Sequence, residues 1–412
     1  VNNDGQGNAW DRLGEGQSPI RSTSAEFIAA VLSSIAYGGG DAAEILSTIN
    51  QVAAQEPETW FSAWTQTARQ VMHLGEEAEV DGHEISAGRM YLRASFYAHY
   101  AYEAVRGDGT DRDRTSWRYH RRLWDRFCSR FGATPVEIGM GEQQLPGYLF
   151  MPEHAQGPLP LVIVVRGLAE GIHQSWPLGV ADALSRGYAA LAFDGPGQGA
   201  AFFERDIVAR HDWEVVISAV IETMADRPEI DEGRIMVVGV DQGSYFALRA
   251  AAFDHRLAAV VADPGVMNLT AQWSDSTAEH NPAGRANNSV GGWARFWRRD
   301  KEHELTARHE AALLEPYGLD SRSAALAAVA QHDLHGVVEQ IRTPTLITEY
   351  VGEPRWPGQS RELFYALTAQ RRLAPFRPSE GGGYFGLRTA PHRRNEVIFD
   401  WFEELELAPK PV

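Results

Sequence analysis

Cysteine is all but missing: Cys128 stands alone in a chain of 412 residues. A single thiol excludes an internal disulfide and a cysteine-built zinc site. In Trp124-Asp125-Arg126-Phe127-Cys128 it reads as a small core residue, because no histidine-bearing partner motif surrounds it. No run of about 18 apolar residues occurs, and the polar opening Val1 to Asp11 lacks a signal-peptide hydrophobic region. The expectation is a cytoplasmic protein with no membrane partner. Positive charge is short as well, 38 basic against 55 acidic residues for a net charge of −17. Phosphate binding needs a basic footprint, so nucleic acid is excluded as a partner. Paired-histidine, H-x-x-E-H and Asp-rich metal loops do not occur. Gly195-Pro196-Gly197-Gln198-Gly199 contains proline and lacks the lysine of a phosphate loop. Neither a metal nor a cofactor is expected.

The composition that remains, 44% hydrophobic and 23% charged, is that of an ordinary globular chain. Residues 1–20 are polar and Gly-rich and read as a mobile terminus. Residues 21–132 read as a helical accessory layer. Within it Phe27, Ala30, Val31 and Ile35 recur at helical spacing, Glu56-Pro57-Glu58 opens a helix, and Ile85 to Glu103 and Trp117 to Phe131 supply two more. From 133 the pattern changes. Val136 to Gly139 and Leu145 to Phe150 read as antiparallel strands. Short apolar runs follow at Leu159 to Val165, Ala189 to Phe193, Ile235 to Val238, Ala258 to Ala262 and Thr345 to Tyr350, with helical sequence between them. That alternation predicts an α/β fold with a mostly parallel sheet covered on both faces. The core so defined covers 133–268 and 341–412. The interruption at 269–340 is helical and carries Trp273, Trp293, Phe296 and Trp297; it is placed as a lid over the sheet's carboxyl edge, where α/β ligands bind.

Gly239-Val240-Asp241-Gln242-Gly243 sits between an apolar strand and a small-residue helix, the context of a nucleophile elbow. Its glycines permit a sharp turn that pushes the central side chain outward, and the amide of Gln242 points to the same place. Four segments, one of them containing the elbow, make a family recognisable: Phe193 to Gly199, Trp213-Glu214, Asp231 to Gly243, and His255 to Ala259. The chain resembles α/β-hydrolases of the pseudooxynicotine-hydrolase and FrsA-like group, from about Phe27 to Glu404, including Ser86 to Arg89 and Tyr91 to Ser95. The resemblance implies an α/β-hydrolase fold with a helical N-terminal layer and a helical lid.

The departures from that family bear on the chemistry. Its members carry Ser where this chain has Asp241. Their histidine falls in a Gly-rich stretch before the last helix, where this chain has Phe385, or Tyr384 if the register slips by one. His392 is either a displaced base or a surface residue; His173 and His280 are further substitutes, or ordinary core or solvated histidines. The family's acid position is best matched by Glu353. Asp241 is a covalent nucleophile, a general base or a binding group, or else a placeholder held by Arg166 or by backbone amides. The amide of Leu168, with Gly167 permitting close approach, is the candidate second oxyanion donor. Arg166 either pairs with Asp241, binds a substrate oxygen, or bridges another acid. Glu214 and Asp194 read as structural. Trp176, Trp273, Trp293, Trp297 and Phe385 are the expected aromatic contacts of a bulky planar substrate, with Tyr91, Tyr97 and Tyr102 offered by the helical layer.

Three functions stay open. The first is a non-hydrolytic enzyme that forms a carbon–carbon bond, cyclises or rearranges an aromatic natural product. Its degenerate site resembles hydrolase-like proteins of actinobacterial polyketide and anthraquinone-fused enediyne pathways. The second is an Asp-nucleophile hydrolase of an epoxide or carbon–carbon bond, and the third a binding protein on a hydrolase scaffold. The partner expected is a small aromatic molecule, and a homodimer is allowed for. Because Phe385 stands at the base position, restoring the nucleophile by Asp241→Ser should leave p-nitrophenyl acetate turnover near the little that oxyanion amides alone supply. Saturable turnover with burst kinetics, in either protein, would overturn this.

Overall fold

A computed structural model describes residues 31–52, 57–107, 110–155, 157–168, 170–270, 312, 314–351, 353, 355–380 and 390–409. They fall into two compact units, one within Val1–Phe127 and the other within Cys128–Asn288 and Ala311–Val412. No helix among the described residues is long and apolar enough to cross a membrane.

The first unit is helical: α1 (Ala42–Gln51), α2 (Pro57–Val80), α3 (Glu84–Val105) and the greater part of α4 (Asp111–Phe131). Asp41 caps α1 by accepting from the Ala43 amide at 3.0 Å. Pairing of α2 with α3 depends on Gly75, where an added Cβ would lie 2.8 Å from the Tyr91 ring. Arg126 on α4 closes the polar side by bridging Glu76 at 2.8 Å and Glu79 at 2.9 Å. Cys128 is fully buried.

The second unit holds one sheet of eight strands: β1 (Thr134–Met140), β2 (Gln143–Phe150), β3 (Leu159–Val165), β4 (Ala189–Phe193), β5 (Ile230–Val240), β6 (Ala259–Asp263), β7 (Thr345–Tyr350) and β8 (Arg371–Phe376). Their order is β1-β2-β4-β3-β5-β6-β7-β8. β1 and β2 pair antiparallel, as do β2 and β4, and all later neighbours run parallel. The mostly parallel sheet expected from the apolar runs is therefore present. Two of its features were not expected. β5 begins at Ile230, ahead of a register irregularity against β3, because the charged Asp231-Glu232-Gly233-Arg234 hides the start of the strand. β8 escapes notice because Arg371, Arg372 and Pro375 suit a solvated edge strand rather than an apolar run.

Helices α5 (Trp213–Ala225) and α6 (Gln242–Phe253) lie together against the sheet, with α7 (Gln359–Ala366) and α8 (Pro391–Glu404) nearer the chain end. Trp213 stacks flat on Phe246, ring centroids 4.0 Å apart. The chain passes over that indole at Gly195, where a Cβ would fall 2.5 Å from the ring. After β3 the chain adds β4 on one side and then returns to add β5 on the other. The carboxyl ends of β3 and β5 thus flank a topological switch point, the crevice where doubly wound sheets bind ligands.

Asp254, just past α6, accepts from Ser218 at 2.7 Å and from the Arg256 side chain at 2.5 and 2.9 Å. Burial raises its carboxyl, but the Arg256 and Ser218 hydrogen bonds more than reverse this, to about 2. A depressed carboxylate contributes stability above its unfolded pKa near 4, and that contribution is lost as the pH falls through about 2. Asp254→Asn should therefore be destabilised by about 1–2 kcal/mol at pH 7, allowing for solvent screening, with the difference vanishing near pH 2. Urea titrations at the two pH values measure it; a pH-independent difference would refute it.

Candidate functional site

At the end of β5 the chain turns directly into α6 through Asp241, whose φ of 56° and ψ of −124° are unusual for a non-glycine residue. Two hydrogen bonds hold this conformation. The Asp241 amide donates to the Asp263 carbonyl at 2.8 Å, and the Ser244 amide donates back to the Asp241 carbonyl at 3.0 Å. The flanking glycines are demanded by close backbone approach. A Cβ on Gly239 would sit 2.4 Å from the Gly243 carbonyl oxygen, and one on Gly243 would sit 2.1 Å from that of Val165. The elbow is thereby pressed onto the exit of β3. Gln242, first residue of α6, reaches across the switch point, and the Leu168 amide donates to its Oε1 at 3.0 Å. The Gln242 amide itself, at the first position of a helix, has no intrahelical carbonyl to reach.

Asp241 is 7% exposed. Its Oδ1 accepts from Arg355 Nη1 at 2.6 Å. Arg355 lies beyond β7, and its amide donates to Glu353 Oε1 at 2.8 Å. Burial raises the Glu353 carboxyl above its ordinary value, and nearby Arg355 partly offsets that. Below the elbow, Asp263 ends β6 and takes hydrogen bonds from Tyr350, Arg394 and, at 2.6 Å, Thr348. Burial and this carboxylate push the Tyr350 phenol well up. Arg394 also donates to the Leu178 carbonyl at 2.8 Å, and its neighbour Asn395 to that of Pro177 at 3.0 Å. One buried network so fixes β6, β7 and α8, and through the Asp263 carbonyl the amide of Asp241.

The sequence family described as alpha/beta hydrolase fold matches residues 160–369, the span that contains this elbow and both strand exits. The chain belongs to the alpha/beta hydrolase fold family. Hydrolase acrC of Aspergillus aculeatus is 29% identical over 91% of this chain and 94% of its own. The 20-hydroxy-prefusarin hydrolase FUS2 of Gibberella moniliformis is 29% identical over 90% of this chain and 94% of its own. Among solved structures, that of 2,6-dihydroxy-pseudo-oxynicotine hydrolase superposes with a TM-score of 0.72 at 21% identity, covering 92% of this chain and all of that one. At that identity the likeness concerns the fold, which agrees with the resemblance read from the motifs.

In this hydrolase-fold chain Asp241, Gln242, Gly167 and Leu168 meet at one place. Arg166 does not join them. It is 1% exposed and turned beneath the sheet edge, bonding Asp194 at 2.9 Å and the carbonyls of Phe193 and Glu170 at 2.6 Å each. Its role is to tie the exits of β3 and β4, which are neighbours in the sheet, and the pairing with Asp241 does not form. His392 stands exposed on the first turn of α8. Trp176 is packed into the second unit against Phe131 and Phe150, at 4.9 and 5.9 Å between centroids. Within the helical unit, Tyr91 and Tyr97 donate to Glu79 at 2.5 Å and Glu44 at 2.7 Å. Glu214 bridges Arg249 at 2.9 Å, and His173 is buried in a short helical turn. Trp273, Trp293, Trp297, Phe385 and His280 lie outside the described residues.

Sequence reasoning missed Arg355, Asp263 and the side chain of Gln242. The available signal for Arg355 was its place two residues beyond Glu353. Removing it by Arg355→Met leaves the Asp241 carboxylate without its counter-ion, at an expected cost of about 2–4 kcal/mol. Adding Asp241→Asn should recover most of that loss. A double-mutant cycle by urea denaturation with coupling under about 0.5 kcal/mol would show that the pair does not act as a unit.

Proposed function

We propose that the protein is a repurposed hydrolase-fold enzyme that abstracts a proton next to a ketone and lets the resulting enolate close a ring or form a carbon–carbon bond. The observation that carries the reading is the Asp241–Arg355 pair at 2.6 Å on the elbow. Oδ1 holds the guanidinium, and Oδ2 takes the proton from the carbon beside the substrate carbonyl. The C–H electrons pass to the carbonyl oxygen, so negative charge moves from Asp241 to the enolate while Arg355 stays beside it. Such a transfer keeps the local charge balanced. The enolate oxygen accepts from the Gln242 amide. Its carbon then attacks a second carbonyl of the same molecule, and the alkoxide regains the proton from Asp241. An aromatic, polycarbonyl natural product suits this chemistry, in keeping with the Trp-rich segment 269–340. A pathway for such metabolites, a cytoplasmic location and a homodimer belong to the same reading.

A second reading is favoured by the names of the relatives, which are hydrolases. In it Asp241 attacks a carbon of an epoxide, the ring C–O bond opens to a hydroxyl group, and water then hydrolyses the resulting ester. One probe separates the two. In D2O, 1-phenylhexane-1,5-dione should exchange its methyl protons, and its methyl carbon should close on the benzoyl carbonyl to give 3-hydroxy-3-phenylcyclohexanone, faster with the wild-type protein than without it. Asp241→Asn should lose about 10²–10⁴-fold of that acceleration. Equal rates in the two proteins would remove Asp241 as the base. Turnover in H2 18O that labels the Asp241 peptide would establish the covalent route instead.

A further inference from the structure

We infer that the Gln242 side chain is a gate: its carboxamide occupies the Leu168 amide as an internal stand-in for a substrate carbonyl, and a ligand enters by displacing it. The Leu168 N–H points at Gln242 Oε1 at 3.0 Å. An sp² amide oxygen thus marks the place where a ketone oxygen would accept. The contact is close on its other side too. An added Cβ on Gly167 would lie 3.2 Å from Oε1 and 3.3 Å from the Gln242 Cβ, so the loop is shaped around this side chain. Gln242 is also only partly buried, and swinging its carboxamide toward solvent breaks a single neutral hydrogen bond, a modest cost.

The gate has a chemical consequence. A backbone amide has one hydrogen, so the Leu168 donor serves either Gln242 or the substrate. An apolar aromatic molecule cannot evict the carboxamide, whereas one whose carbonyl replaces Oε1 leaves the amide satisfied. The Leu168 amide therefore favours aryl ketones over aromatic hydrocarbons of the same shape, and Gln242 is the internal competitor that a ketone must displace to reach it. This inference rests on the reading that the Leu168 amide and Asp241 face the same substrate, yet it concerns binding rather than proton transfer.

The test titrates wild type, Gln242→Ala and Gln242→Leu with 1,8-dihydroxyanthraquinone and with 1,8-dihydroxyanthracene, which lacks the ketones, following tryptophan fluorescence. Both variants remove the internal competitor, so each should bind the quinone about 2- to 10-fold more tightly than wild type and the anthracene equally well. In wild-type protein labelled with 15N-leucine, the quinone should shift the Leu168 amide resonance, assigned from a Leu168→Met variant, and the anthracene should not. If Gln242 only braces the loop, the variants lose quinone affinity and thermal stability together, which overturns the gate. Failure of the quinone to bind the variants, or an unmoved Leu168 resonance in wild type, overturns it as well. The two readings fail separately. An Asp241→Asn protein that keeps full diketone exchange sinks the base, while a persisting quinone-dependent Leu168 shift leaves the gate standing.

Discussion

The contact on which the site depends is the approach of the first turn of α6 to the carbonyl of Val165. It is possible only because Gly243 has no Cβ, since one placed there would lie 2.1 Å from that oxygen. From this contact follow the strained turn at Asp241, the reach of Gln242 to Leu168, and the placement of both at the sheet's switch point. A methyl group at Gly243 would have to move backbone on one side or the other. Backbone in a close-packed parallel sheet has little freedom to move.

Among the described residues, three aspartates at the carboxyl edge of the sheet pair with arginines: Asp194 with Arg166, Asp263 with Arg394 and Asp241 with Arg355. Their environments separate structure from chemistry. The first two pairs are sealed from water: Asp194–Arg166 knits β4 to β3, and Asp263–Arg394 ties β6 to α8, with hydroxyl partners for Asp263 from β7. Such pairs resist disruption because losing one partner strands a buried charge. In the third pair the Arg355 side chain remains 27% exposed, so a ligand can reach its cation. It is also the pair that sits on the strained turn, where an enzyme of this fold places its reacting group.

The helical unit is built on another principle. Its polar contacts bind helix to helix: Arg93 and Tyr97 to Glu44, and Arg126 and Tyr91 to Glu76 and Glu79. Aromatic residues on α3 that resemble a ligand wall when read along the sequence are partly committed to these bonds. Tyr91 and Tyr97 illustrate why aromatic periodicity is a poor guide to a pocket: the same spacing that lines a cavity also fills a helix interface.

Fold and elbow were legible because their signals are local. Apolar β-branched runs make strands wherever they are covered, and G-x-D-x-G between strand and helix admits one kind of turn, so Asp241, Gln242 and Leu168 could be named from the residues alone. β8 was illegible because an edge strand half in water carries no apolar pattern. The partner of Asp241 was illegible for a deeper reason. Arg166 and Arg355 are chemically identical candidates, and Arg166 is the closer to Asp241 along the chain, whereas Arg355 lies 114 residues away. Strand order alone does not choose, because β3 lies between β4 and β5; what gives Arg166 to Asp194 is the pocket of acceptors at the β3–β4 exits, the Phe193 and Glu170 carbonyls with the Asp194 carboxylate. The loop after β7 is left to bring Arg355 onto the elbow. Ion pairing depends on distances between strand exits, and only the assembled sheet determines those.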